Sequence, residues 1–138
     1  MTARSKARKR ALDVLYEAEL RGADAIETVA ERLAQSDPPV PEYAVELVTG
    51  VVEHRAAIDG VLTEYAAADW PLERMPAVDR NILRIATYEL LHRDDVPAGV
   101  VISEAVDLAT SLSTDDSPKF VNGLLARVAK EKAPAAQE

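Results

Sequence analysis

From Ala7 to Val128 the apolar residues of this chain recur at intervals of three and four, and no stretch of useful length alternates apolar with polar as a half-buried strand would. The spacing predicts an all-α protein. In residues 3 to 21, Ala7, Ala11, Val14, Leu15 and Ala18 define one buried stripe, and Gly22 stops the helix. Asp24 can cap a shorter second helix with Ile26, Val29, Ala30 and Leu33 on its inner side, ending before Asp37-Pro38-Pro39. Pro41 suits the start of a third, which carries Ala44, Leu47, Val48, Val51, Ile58, Val61, Leu62 and Tyr65 to about residue 67, with a bend at Gly50 or Gly60. Asp69 to Pro76 reads as a connection holding a short helical turn. Beyond it, Val78, Ile82, Ile85 and Ala86 share a face of a helix from about Ala77 to Arg93, which Asp94-Asp95-Val96-Pro97 ends. Val101, Ala105, Leu108, Ala109 and Leu112 continue the pattern, and the polar Ser113–Pro118 loop should open a last helix carrying Val121, Leu124, Leu125 and Val128. The tail after Lys132 is expected to fray.

At 138 residues with 48% apolar side chains, the chain has the size of one domain and can build its core without metals or disulfides. It has no cysteine, which removes thiolate nucleophiles, zinc–thiolate sites and iron–sulfur clusters and fits a reducing interior such as the cytoplasm. The acids in ALDVLYEAEL argue against a signal peptide, and no apolar run has the length of a membrane span. His54 and His92 lie on different predicted helices without metal-ligand spacing, and five scattered glycines assemble no phosphate-binding loop. No nucleophile elbow is visible, and the 24 carboxylates are most simply a solvated surface. The chain reads as a binder that needs no cofactor, not an enzyme.

The net charge of −8 opposes indiscriminate nucleic-acid binding, yet the distribution is lopsided. Arg4, Lys6, Arg8, Lys9 and Arg10 fall within the first ten residues with no acid among them, so the other eleven cations face all 24 acids. An acidic body with one basic end should admit a polyanion only there, as a short stretch, unless the arm merely aids solubility. On the first helix Arg8, Lys9, Leu12 and Tyr16 share an arc of about 100°, a combination suited either to phosphates and a stacked base or to packing against a neighbour. Phe120, beside Lys119, either stacks a base or fills core, and Trp70 is expected to fill the joint between the helical groups. Glu89 falls inside an apolar stripe and needs a partner, an adjacent helix end or a base such as Arg84. Asp79, Arg80 and Leu83 point away from that stripe and are expected to form a mixed surface for a protein partner.

Three segments resemble the bacterial transcription antitermination factors of the NusB family: ARKRALDVLYEAEL, PAVDRNILRIATYELLHRDDVP from Pro76 to Pro97, and SEAVDLATSLSTDDSPKFVNGLLARV from Ser103 to Val128. The resemblance implies about seven helices in two small bundles, from about 1–68 and 77–132, forming a single RNA-binding domain over 1–138. It implies binding to the single-stranded boxA element of nascent ribosomal RNA, together with NusE, a small-subunit ribosomal protein, in the RNA polymerase antitermination complex. Carried over by motif, the RNA surface would use Arg4, Lys6, Arg8, Lys9, Arg10, Tyr16, Asp116, Lys119 and Phe120, and the NusE side Asp79, Arg80 and Leu83. Thr110 stands where relatives often carry a basic residue and Leu112 where an aromatic often follows, which reduces the expected positive surface. Some relatives form homodimers that would cover the RNA face.

Two other readings are a helical protein-interaction module without nucleic acid and a stand-alone relative of the NusB-like domain fused to ribosomal RNA methyltransferases. At 138 residues the chain has no room for a cofactor-binding domain and is not expected to methylate. If about four to six phosphates are neutralised, RNA affinity should fall with salt with a log–log slope near −3 to −4.

Overall fold

In a computed structural model, which describes residues 2–35, 39–66 and 70–132, Thr2 and Gly22 bracket the first helix, α1 (Ala3–Arg21). The Thr2 hydroxyl accepts a hydrogen bond from the Ser5 amide at 3.0 Å, and Gly22 turns the chain away at φ 63°, a left-handed conformation that glycine adopts without strain. α2 (Ala25–Gln35) is capped as its sequence predicts, the Asp24 carboxylate accepting from the Glu27 amide at 3.0 Å. α3 (Glu42–Glu53) and α4 (Arg55–Tyr65) divide the predicted third helix at His54, not at Gly50 or Gly60. A 3₁₀ turn at Leu72–Arg74 leads into α5 (Ala77–His92), followed by α6 (Ala98–Leu112) and α7 (Ser117–Lys132). Pro41, Pro76 and Pro97 stand at the N-caps of α3, α5 and α6, where a missing amide costs nothing. The expectations on Asp37-Pro38, on Asp69 and on the tail from Ala133 lie outside the described residues.

There is no strand among the described residues, and none of their helices is long and apolar enough to cross a membrane. α5 is the hub, packing against α1, α3, α4, α6 and α7. One apolar cluster runs through the fold, from Ala7, Ala11 and Val14 of α1 through Leu47, Ile58 and Ile82 to Val121, Leu124, Leu125 and Val128 of α7. Gly50 matters to packing, because a Cβ there would lie 2.2 Å from the Tyr88 ring; its lack of a side chain admits that ring between α3 and α5.

Two expectations about faces fail. On α2 only Thr28 and Val29 are buried, while Ile26, Ala30 and Leu33 are exposed, because the helix lies at the edge of the fold and packs mainly against α1 and α3. On α5 there is no outward partner face: Asp79 and Leu83 are each 0% exposed and Arg80 shows little of its side chain. A helix surrounded by five others buries residues all round, so a single apolar stripe underestimates what it hides.

Candidate nucleic-acid interface

The basic start of α1 folds onto carboxylates brought from far along the chain. Arg8 is 4% exposed and bidentate to Glu89, Nε to Oε1 at 2.8 Å and Nη2 to Oε2 at 2.9 Å, while its Nη1 donates to Glu104 at 2.8 Å. The Tyr43 hydroxyl donates to Glu89 Oε2 at 2.6 Å. Burial alone would lower the pKa of Arg8, but the Glu89 carboxylate more than offsets it and holds the guanidinium above its ordinary value. Burial, reinforced by the bond to Glu89, pushes the Tyr43 phenol well above its usual range. Glu89 therefore has a structural partner, but it is Arg8, not Arg84. Arg84 instead holds Asp59, with Nε to Oδ1 at 2.8 Å.

The neighbouring cations are also engaged, though less deeply. Arg4 lies 3.3 Å from Asp95 and 4.4 Å above the Tyr43 ring, and Lys9 donates to Asp13 at 2.7 Å. Lys6 is exposed and makes no ion pair among the described residues, Arg10 is half-buried, and so is Tyr16. Leu12 is 2% exposed, so the arc shared by Arg8, Lys9, Leu12 and Tyr16 is turned partly inward. Arg8 is corrected from a phosphate ligand to a buried tie between α1 and α5.

At the start of α7 the pattern reverses. Asp116, Lys119 and Phe120 line one open groove, of about 570 Å³, with Trp70, Gly123 and Arg127. Phe120 is half-buried and meets the half-buried Trp70 edge to face, ring centroids 4.1 Å apart at 60°. Lys119 and Arg127 are exposed and make no ion pair among the described residues. The loop that presents this edge is fixed from below. Buried Asp79 accepts from the Ser117 hydroxyl at 2.7 Å and from the Ser113 hydroxyl, while Thr114 and Ser117 share a hydrogen bond of 2.7 Å. Asp79, expected on a partner surface, is thus the anchor of the α6–α7 loop.

The structure brings Asp116, Lys119 and Phe120 together, but Arg4 and Arg8 share another cleft, beside α6. Sequence reasoning missed three residues of the α7 groove, Trp70, Gly123 and Arg127. The spacing of Lys119, Gly123 and Arg127 every four residues carried a signal for Arg127; nothing near Trp70 announced its contact with Phe120. Among the described residues no group of three or more His, Asp and Glu could hold a metal.

The NusB family model matches residues 5–130. The chain belongs to the NusB family. It is 60% identical over 132 residues to the transcription antitermination protein NusB of Kineococcus radiotolerans, covering 96% of each chain. To that of Acidothermus cellulolyticus it is 59% identical over 133 residues, covering 96% of this chain and 91% of the other. Its fold matches T. maritima NusB with a TM-score of 0.86 at 37% identity, over 96% of this chain and 94% of that one. It also matches a chain in the crystal structure of the antitermination factors NusB and NusE with double-stranded RNA, TM-score 0.80 at 32% identity, over 92% and 96% of the two chains. This is a transcription antitermination family, and the fold found here is that of its solved members.

Proposed function

We propose that this NusB-family chain is a non-catalytic RNA-binding adaptor of the cytoplasm. It binds single-stranded boxA in nascent ribosomal RNA together with NusE and helps RNA polymerase resist termination. The observation that carries this reading is the open edge of α7, where Lys119 and Phe120 face solvent in part and Lys119 meets no carboxylate among the described residues. Cations with a free aromatic face are what a single strand requires, since phosphates pair with the cations and unstacked bases lie on the ring. The relation to a NusB found with NusE and RNA supports the same direction.

The RNA surface is assigned to Lys119, Phe120 and Asp116, extended by Arg4, Lys6, Lys9, Arg10 and Tyr16 of α1. Burial withdraws Arg8, and it withdraws Asp79 and Leu83 from the surface offered to NusE. Fluorescence anisotropy with a labelled boxA oligomer and a scrambled control, with and without NusE, tests the reading. BoxA is expected to bind more tightly than the control and more tightly still with NusE, and Lys119→Ala to weaken it. Equal affinity for the two oligomers, or no binding to either with NusE present, overturns it.

A further inference from the structure

The turn between α5 and α6 carries two adjacent acids, and the fold uses them differently. Asp94 is exposed and makes no ion pair among the described residues. Asp95 joins two guanidiniums, one from α1 and one from the end of α5. Arg93 is bidentate to it, Nε to Oδ1 and Nη2 to Oδ2 each at 3.1 Å, and both Nη atoms of Arg4 lie 3.3 Å from Oδ2. Both arginines stand over the Tyr43 ring, Arg4 at 4.4 Å and Arg93 at 5.0 Å from its centroid. The ring is itself fixed, because its hydroxyl donates to buried Glu89. Two guanidiniums preset beside one aromatic ring and converging on one anion suit a phosphate as well as a carboxylate. Here the chain supplies the anion.

The Arg4–Asp95 pair is open to solvent, with side chains 44% and 53% exposed, so it adds little to the stability of the fold. It lies on a cleft of about 480 Å³ whose α1 side carries Thr2, Arg4 and Ser5 and whose α6 side carries Glu104. Glu104 repeats the arrangement deeper in, accepting from the Ser5 hydroxyl and from Arg8 Nη1. Arg93 has a second carboxylate in Glu46, whereas Arg4 has only Asp95 among the described residues. An unanswered Arg4 would add the same attraction to any RNA, because phosphate contacts carry no sequence information. We propose that Asp95 is an internal stand-in for phosphate, a guard that occupies Arg4 in the free protein and lowers the attraction of α1 for RNA of every sequence. The proposal rests on the RNA-binding reading of the α1 cations and gives Asp95 a part in selectivity. Contacts indifferent to sequence are suppressed, and discrimination is left to the rest of the surface.

The two acids of the turn supply a matched test. Asp95→Asn keeps the shape of the side chain and removes its charge, and Asp94→Asn removes an equal charge one residue away; circular dichroism verifies that both fold. Anisotropy of labelled boxA and scrambled oligomers, followed with the full chain over a range of salt, reads the outcome. Asp95→Asn is expected to tighten the binding of both oligomers about threefold to fivefold at low salt, the scale of one exposed ion pair. The log–log salt slope should steepen by about 0.7 as Arg4 joins the cations that neutralise phosphates. Asp94→Asn should tighten binding by less than about twofold, the effect of a screened charge with no cation to release. Arg4→Ala should cost less than about twofold in the wild-type background and should remove most of the gain in the Asp95→Asn background. An equal gain from Asp94→Asn, no gain from Asp95→Asn, or a gain undiminished by Arg4→Ala overturns the guard and leaves the RNA reading standing. No anisotropy change with either oligomer, even with NusE, overturns both.

Discussion

The starts of α1 and α7 both offer cations, yet the fold treats them in opposite ways. On α1, Arg4, Arg8 and Lys9 each meet a carboxylate, and Arg8 is sealed between Glu89 and Glu104. On α7, Lys119 and Arg127 meet none among the described residues and flank an aromatic pair. A chain with 24 acids folds most of its cations onto them, so a run of basic residues does not measure what a phosphate can reach. A phosphate approaching a paired arginine must displace a carboxylate, and at a buried pair it must also find a path in. The sparser basic segment thus offers the more accessible charge.

Arg8→Ala tests this contrast with the largest expected effect. It leaves Glu89, 1% exposed, with only the Tyr43 hydroxyl for company, and breaking a buried pair from one side costs about 3–5 kcal/mol. A lowered urea midpoint would show it, and Arg8→Met combined with Glu89→Leu should recover most of the loss. Were Arg8→Ala as stable as wild type but defective in RNA binding, the two helix starts would belong to one surface after all.

Asp79→Ala comes next. It removes the carboxylate that accepts from both the Ser113 and Ser117 hydroxyls beneath the α6–α7 loop, at about 1–3 kcal/mol. Amide exchange at residues 113–117 should accelerate, and RNA affinity should fall without a change in salt slope, because no cation is lost. Asp79→Asn keeps one acceptor oxygen and should restore part of both. Unchanged exchange would mean the loop does not depend on this carboxylate.

These two sites also mark where the sequence stops being informative. The inner stripe of α1 and that of α7 were legible because each helix has one apolar side, and Val121, Leu124, Leu125 and Val128 are all 0% exposed. α5 was misread because periodicity reveals a stripe but not the number of neighbours, and five of them bury Asp79 and Leu83 as well. α2 failed in the other direction, leaving Ile26 and Leu33 38% and 43% exposed at the fold's edge. Glu89 declared by its position that it needed a partner, but Arg8 is 81 residues away, and local spacing cannot choose between Arg8 and Arg84. At the site, Asp116, Lys119 and Phe120 lie close enough in the chain to be seen as a group. Trp70 joins them only through the packing of the bundle.

Acid should act on the α1 side before it disturbs the ring contact of Trp70 with Phe120. The bond from Arg32 holds Glu17 below its ordinary pKa; burial would raise Glu19, but Arg80 more than offsets that, and Arg93 lowers Asp95. A depressed folded value means that the stabilisation is complete above the unfolded pKa, 4.5 for the glutamates, and is lost as pH falls through the folded values. His92 adds an earlier step. Burial and then the stacked His54 ring, 4.1 Å away, lower its pKa, so below about 6.5 the unfolded chain takes up a proton that the folded one resists. Urea midpoints followed from neutral to acid pH should therefore fall in two stages. His92→Gln should remove the upper stage, and Glu19→Gln should make the lower one shallower.

The smallest effects on stability give the finest test of charge. Lys6→Ala, Lys9→Ala, Lys119→Ala and Arg127→Ala change exposed or half-exposed side chains and should each leave stability within about 0.5 kcal/mol. Their effects on RNA binding should differ. If Lys6, Lys119 and Arg127 are the cations that neutralise phosphates, the log–log salt slope is near −2, and each of those substitutions makes it shallower by about 0.7. Lys9→Ala should change it by less, because Asp13 stays 2.7 Å from the lysine and opposes an incoming phosphate. A wild-type slope near −4, with Lys9→Ala as costly as Arg127→Ala, would mean that the α1 cations leave their carboxylates when RNA arrives. The contrast between the two helix starts would then hold for the free protein and vanish in the complex.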